Sequence, residues 1–403
     1  MHKHAPGAAT GSEDDRPSYF DFNLPAKIEF GPGALRRLPG ILSLHRLRRV
    51  VLVVTPGRRR SGMLDETLRD LDERGIQARI FDRVRENPDL ATVADCVRFL
   101  GRARPEALIA LGGGSTIDTA KAAGVCYANA FEDPRRLHDL SEPVPTLPAI
   151  MVPTTAGSGS EANYWAVITD SEHQEKLSIG HPAMAPFLAV VDPQLLVTLP
   201  PHVTLSTGLD AFTHAVESYF SVAGNSLSAY LSLGAVTLLL RSLEKAVDCG
   251  EDIEARGETA LASLVAGISM ANVGLGLVHA MSHQVGGFYD SPHGLTNALL
   301  LPHVLALNAA SCPEKAAGLD RAVGSSARRH HGDSRRTLLS WIEDLYAQRG
   351  IAPNRISIRA RDIPELSARA MENVNVRTNP ASVDAEAIAE VYRRSFLVDG
   401  TSH

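Results

Sequence analysis

Ala107-Leu108-Ile109-Ala110-Leu111-Gly112-Gly113-Gly114-Ser115-Thr116-Ile117-Asp118-Thr119-Ala120-Lys121 runs from an unbroken apolar stretch through three glycines into a helix-compatible segment. An apolar run with no polar alternation reads as a strand buried on both faces, the habit of a parallel sheet covered by helices. The glycines let backbone approach a ligand closely, and the free amides of the helix turn that follows favour a phosphate. The segment is not the G-x-G-x-x-G fingerprint, so the ordinary dinucleotide motif is not matched. A tight turn with Ser115 as the helix N-cap is the competing reading.

Outward from this stretch the same alternation continues. Val50 to Val54 reads as a buried strand, Leu64 to Leu71 as a helix and Ala78 to Phe81 as another strand, and a helix containing Val93, Val97 and Leu100 leads back to Ala107. Further strands are expected at Ala149 to Val152, Ala166 to Thr169 and Leu188 to Val191. A second glycine-rich loop, Pro153-Thr154-Thr155-Ala156-Gly157-Ser158-Gly159-Ser160-Glu161, again follows an apolar strand. Two such loops at the carboxyl ends of strands converge where α/β folds bind nucleotides, although Thr154 and Thr155 would serve equally well as caps. After Leu199-Pro200-Pro201 the strand signal gives way to amphipathic helical periods. The expected organisation is a tail over 1–18, an α/β domain over 19–200 and an all-helical domain over 201–403.

Bulk properties narrow the functional classes. The 403 residues suit two or three domains, and 44% hydrophobic with 21% charged residues is ordinary globular composition. A net charge of −6 provides no global positive field for nucleic acid. The four cysteines, Cys96, Cys126, Cys249 and Cys312, lack metal-ribbon or redox spacing, so reduced thiols in a cytoplasmic protein are expected. Neither a signal peptide nor a membrane span is expected.

The helical half holds a third constellation. Asp210 and His214 stand at i, i+4 and share a helix face; His279 and His283 repeat the spacing, and His293 follows in Ser291-Pro292-His293-Gly294. A carboxylate with imidazoles is a ligand set for Fe²⁺ or Zn²⁺, and an open coordination position would make the ion a Lewis acid. Spacing alone leaves open whether His279 or His283 is the ligand. With fifteen histidines in the chain, any single pair carries little weight.

Taken in order, Gly112-Gly113-Gly114-Ser115, Pro153 to Ser158, Asp210 to Glu217, Gly274 to His283, Pro292-His293-Gly294 and Leu301-Pro302-His303-Val304 resemble the iron-dependent (group III) alcohol dehydrogenases over roughly residues 20 to 395. The resemblance implies a Rossmann-like α/β NAD(P)-binding domain with a mainly parallel sheet and an all-α metal-binding domain, the dehydroquinate synthase-like architecture. It also implies an aldehyde–alcohol oxidoreductase acting as a homodimer on a small molecule. Carried across, Asp210, His214, His279 and His293 would be the metal ligands, with Fe²⁺ expected and Zn²⁺ the alternative. His283 would handle the proton, its near-neutral pKa suiting that task. Gly113, Gly114, Ser115, Thr154, Thr155 and Lys176 would meet the cofactor, and Asp118, part of the same glycine motif, would either touch the ligand or only order the loop. Maleylacetate reductases and dehydroquinate synthase share the architecture and are the alternatives, with a non-catalytic metal-binding module as the reading from outside enzymology.

Two departures from that family bear on specificity. Many members carry an Asp after the second strand that bonds the adenosine ribose; here the chain reads Val54-Thr55-Pro56-Gly57-Arg58-Arg59-Arg60. Without that carboxylate, and with arginines nearby, NADPH is expected over NADH. In Asn373-Val374-Asn375-Val376-Arg377-Thr378-Asn379-Pro380, Arg377 stands where the family commonly has glycine, and Trp165 replaces a polar pocket residue. A guanidinium there suits a substrate with an anionic head, such as phosphonoacetaldehyde, whose reductases belong to this family.

Overall fold

Every strand of the main sheet runs parallel to its neighbours; helices connect its strands in chain order up to the last, and a separate hairpin makes that final return. The computed structural model describes residues 19–140, 144–330 and 337–400; the expected tail, 1–18, lies outside them. The first half runs β1 (Lys27–Phe30), α1 (Leu38–Leu44), β2 (Arg49–Val53), α2 (Pro56–Arg60), α3 (Asp65–Glu73) and β3 (Gln77–Phe81). It continues with α4 (Leu90–Ala103), β4 (Ala107–Gly112), α5 (Gly114–Ala128), β5 (Ala149–Pro153), β6 (Trp165–Asp170), β7 (Glu175–Gly180) and β8 (Leu188–Val191).

Strand order is β1-β8-β5-β4-β2-β3. Alternate residues divide between the two faces. Val50, Leu52, Ile109 and Leu111 join one core, and Val51, Val53, Leu108 and Ala110 join the other, which is why these segments show no polar alternation. From β2 the chain steps outward to β3 and then returns to the other side of β2 as β4. That reversal opens a crevice at the carboxyl ends of β2 and β4, where α/β sheets take ligands. The residues beyond those ends are Thr55 to Arg58 and Gly112 to Gly114.

From Pro201 onward helices dominate: α6 (Pro201–Phe220), α7 (Ser226–Asp248), α8 (Ile253–Val273), α9 (Leu277–Tyr289), α10 (His293–Ser311), α11 (Pro313–His330), α12 (Leu338–Arg349), α13 (Ile363–Glu372) and α14 (Ala385–Ser395). By length and composition α7 would pass as a membrane span. Here Ala235, Val236, Leu239 and Leu243 spend its apolar face in the helical core.

The structure departs from the expected pattern at β1, an edge strand with no apolar run, and at two strand pairs. Ala166 to Thr169 does form a strand, but β6 pairs only with β7 in an antiparallel hairpin outside the main sheet. Its alternation, with Ala166 and Ile168 buried and Trp165 exposed, suits a one-sided ribbon. The helical half also holds a short parallel pair, β9 (Ser357–Arg359) with β10 (Leu397–Asp399), each too brief to give an apolar run. Ser115 is not a cap: α5 begins at Gly114 after Gly113, with no side-chain cap, leaving its first amides free.

The halves meet through α8, whose Ala260, Leu264 and Ile268 complete one face of the sheet core. The second glycine loop touches the same helix backbone to backbone: a Cβ on Gly267 would lie 2.6 Å from the Gly159 Cα. Gly267→Ala is therefore expected to destabilise the protein by about 1–3 kcal/mol through overpacking. Gly234→Ala, on an exposed stretch of α7 with nothing within 4 Å of the new Cβ, is expected to be neutral or stabilising by up to about 1 kcal/mol. Denaturant midpoints of the two variants measure the contrast.

Candidate metal centre and nucleotide cleft

Three helices deliver four side chains to one point. Asp210 and His214 project from α6, His279 from the first turn of α9, and His293 opens α10. One ligand atom from each lies within 4.8 Å of all the others, with three of the residues buried and His293 half-buried. From Asp210 Oδ1 the Nε2 atoms of His214, His279 and His293 lie at 3.7, 3.9 and 3.6 Å. Those separations exceed hydrogen-bond length and are close to the roughly 3.4 Å edge of a tetrahedron with bonds of about 2.1 Å. His283, left open by spacing, falls outside the quartet. Its ring flanks His279 and His293, with centroids 5.9 and 5.6 Å away.

The imidazoles are aimed by their far nitrogens. Nδ1 of His214 lies 3.2 Å from the carbonyl oxygen of Gly157, and Nδ1 of His279 lies 2.6 Å from Oε2 of Glu217. The carbonyl accepts only, as does Glu217 once ionised, an arrangement that places the protons on Nδ1 and turns the Nε2 lone pairs toward Asp210. Burial, reinforced by His214, holds His279 well below the ordinary histidine range; burial also lowers His293, with Lys176 next in effect. The near-neutral pKa expected for His283 is corrected in the same way: desolvation, then His279 and Lys176, keep it neutral.

Polar atoms here fit a cation. His293 Nδ1, His283 Nδ1 and Asn297 Oδ1 are buried with no hydrogen-bond partner among the described residues. Asp210 and Glu217 are both buried carboxylates, and neither pairs with Lys or Arg there. Burial pushes Glu217 up to about 7, against the pull of the Val278 and Gly276 amides. The surroundings thus combine negative charge, neutral imidazoles and spare lone pairs, which a divalent ion satisfies. A second acidic group, Asp170, Glu172 and His173, does not share this character. Arg135 already lies 3.0 Å from Asp170 and 2.7 Å from Glu172.

Sequence reading assigned no role to Glu217 or Asn297. Asn297 Nδ2 donates to Asp210 Oδ1 at 2.8 Å and lies 3.1 Å from Nε2 of both His279 and His293. Each residue follows a member of the quartet by a whole number of turns, Glu217 seven after Asp210 and Asn297 four after His293. A search along those helix faces would have found them.

Beside this centre the two glycine loops pack on each other. A Cβ on Gly113 would lie 3.1 Å from Thr155 Oγ1, and one on Gly114 only 2.8 Å from Ser158 Oγ. Thr154 is buried and its amide donates to the Gly112 carbonyl at 2.9 Å. Asp118 accepts from Ser160 Oγ at 2.6 Å and from the Val167 amide at 2.9 Å, so both its oxygens order the loop and the hairpin. Lys121 extends the clasp to Ser160, Asn163 and the Trp165 carbonyl, and burial lowers it to about 8.

Lys176 reaches in from β7 and donates to Asn87 Oδ1 at 2.9 Å; a Cβ on Gly286 of α9 would lie 2.7 Å from its Cε. Burial lowers it to about 8 as well. Trp165 is 38% exposed and stacks on Tyr164. Arg377 is exposed and forms no ion pair among the described residues. Its loop is tied to the start of α9: Thr378 Oγ1 donates to the Leu275 carbonyl at 2.6 Å, and Asn379 Oδ1 accepts from the Leu277 amide at 3.2 Å. At the end of β2, half-buried Arg58 donates to the Thr154 carbonyl and Thr198 Oγ1, each at 3.4 Å, with no carboxylate partner.

Comparison with known proteins agrees with this geometry. Residues 25–193 match the family described as iron-containing alcohol dehydrogenase, and residues 204–396 match the Fe-containing alcohol dehydrogenase family, C-terminal. The chain is 34% identical to 1,3-propanediol dehydrogenase of Klebsiella pneumoniae, covering 94% of this chain and 99% of that one. A solved 1,3-propanediol oxidoreductase superposes with a TM-score of 0.86 at 34% identity over 94% of this chain and all of that one. Sulfoacetaldehyde reductase from Bifidobacterium kashiwanohense, solved with NAD+, gives 0.83 at 25% identity over 94% and 99% of the two chains.

Chain stripped of metal and reloaded with Fe²⁺ or Zn²⁺ is expected to retain about one equivalent per subunit by elemental analysis. Asp210→Ala is expected to weaken retention, because it removes the one anionic ligand and a coordination position of the quartet.

Proposed function

The chain belongs to the iron-containing alcohol dehydrogenase family, and on that premise we propose that it interconverts a small anionic aldehyde and its primary alcohol, using NADPH in preference to NADH. The observation that carries this reading is the hydrogen bond from His214 to Gly157, which joins the candidate metal centre directly to the second glycine loop. Substrate oxygen and cofactor would then share one cleft between the proposed domains, 19–200 and 201–403. In this reading Asp210, His214, His279 and His293 hold the ion. When bound, the metal supplies Lewis acidity to a carbonyl oxygen and the nicotinamide carries the hydride.

The chain's own residues do the positioning. Gly113, Gly114 and Ser115, on the uncapped start of α5, offer amides to a pyrophosphate, and Thr154 and Thr155 close over it. Lys176 adds a buried positive charge between the hairpin and α9. His283, neutral and with Nδ1 unpartnered, accepts or relays a proton as a neutral imidazole. Asp118 keeps the loops in register.

Support for NADPH comes from Arg58. A half-buried guanidinium at the strand-order reversal, bonded to neutral groups among the described residues, retains charge for a 2′-phosphate. Support for an anionic substrate comes from Arg377, exposed on the loop tied to the helix of His279 and His283; a relative named for sulfoacetaldehyde, an anionic aldehyde, shares the fold. Phosphonoacetaldehyde is the substrate we expect among that class.

The test is an aldehyde panel assayed with both cofactors after metal reconstitution. Arg58→Ala is expected to raise KM for NADPH about 10–100-fold, the worth of a charged hydrogen bond, while leaving NADH nearly unchanged. Arg377→Ala is expected to raise KM for phosphonoacetaldehyde far more than for propanal. Equal effects on both cofactors, or on both aldehydes, would remove the corresponding assignment. Lys176 loses its proton as pH rises through about 8, so cofactor KM is expected to climb above that pH and to stay flat in Lys176→Arg.

A further inference from the structure

The N-terminal turn of α9, which carries His279, has no cap of its own. Gly276 occupies the N-cap position and offers no side chain. The turn is held from outside instead. Glu217 Oε1, from α6, accepts from the Val278 amide at 2.6 Å, and Asn379 Oδ1 accepts from the Leu277 amide at 3.2 Å. Asn379 in turn exchanges paired amide hydrogen bonds with Asn308 of α10, at 3.0 and 2.9 Å. Gly276 is required by this crowding, since a Cβ there would lie 2.8 Å from Glu217 Oε1 and 3.0 Å from Asn379 Oδ1. The three helices that bear the quartet are thus bolted together at one buried polar junction.

We propose that Glu217 is the positioning residue of the metal centre, its two oxygens fixing the first turn of α9 and the tautomer of His279 at once. The inference rests on the metal reading above. Its logic is one of acceptors. Oε1 faces a backbone N–H and Oε2 faces His279 Nδ1, 2.6 Å away. Only a carboxylate presents an acceptor to both; a glutamine must turn its amide N–H toward one of them. Turned toward His279, it moves the imidazole proton to Nε2, the nitrogen directed at Asp210. Turned toward Val278, it opposes donor to donor and breaks the turn.

Glu217→Gln is nearly isosteric and isolates this role. In chelator competition with Zn²⁺ or Co²⁺, the variant is expected to bind about 10–100-fold more weakly than wild type. The visible absorption of its Co²⁺ form is expected to shift. Asn308→Ala, which loosens the same junction without touching His279, is expected to lower the melting temperature while keeping wild-type affinity and spectrum. In wild-type protein labelled with ¹⁵N-histidine and loaded with Zn²⁺, the His279 proton is expected on Nδ1. The proposal is overturned by a Glu217→Gln variant with unchanged affinity and spectrum, by equal loss in Asn308→Ala, or by a proton on Nε2. The labelling experiment needs no variant to fold. If wild-type chain binds neither ion, the metal reading itself fails and takes this inference with it; if wild type binds and the Gln variant binds equally well, only the role of Glu217 fails.

Discussion

A carboxylate buried beside three imidazoles is the constraint around which this molecule is arranged. Asp210 accepts an amide N–H from Asn297, and among the described residues it forms no direct ion pair with lysine or arginine, feeling Lys176 only at longer range. Burying such a group uncompensated costs several kcal/mol. A divalent cation resolves the imbalance. The far nitrogens of His214 and His279 are already engaged, by Gly157 and Glu217, which aims their Nε2 atoms at Asp210. Preorganisation of this kind is what a Lewis-acid centre requires, since the ion must meet substrate rather than its own ligands in motion.

The α/β half contributes by the same economy. Pro200 and Pro201 end the sheet-bearing segment and start α6, which brings Asp210 and His214 under the loop that follows β5. That loop rests on the triple-glycine turn, and Gly159 rests on Gly267 of α8. The proposed nucleotide cleft and metal centre therefore share backbone contacts instead of being joined by a flexible linker. A shift of either half would be felt at both.

Much of this was legible in the sequence because it depends on local periodicity. The apolar runs at Val50 and Ala107 have no polar alternation because both faces are covered, and that is visible without coordinates. Asp210 and His214 share a face for a reason of helix geometry alone. What escaped was whatever depends on the partner rather than the period. β1, an edge strand reading Lys-Ile-Glu-Phe, leaves no apolar run to notice, and β6 could not be assigned to a hairpin without knowing that β7 would pair with it. The choice between His279 and His283 turns on how α9 is rotated toward α6, which a spacing of four cannot encode. Glu217 and Asn297 stayed silent because neither residue type announces a ligand-orienting role until its neighbour is placed beside it. The competing reading of Ser115 as a cap is set aside, since the helix starts one residue earlier and has no side-chain cap.

The most direct test is crystallographic. Crystals grown with Fe²⁺ and NADPH, with diffraction recorded on both sides of the iron absorption edge, should give an anomalous peak within bonding distance of Asp210, His214, His279 and His293, with nicotinamide density beside it and pyrophosphate density on the Gly112–Gly114 turn. Iron bound elsewhere, or a cofactor lying away from those four side chains, would contradict the account.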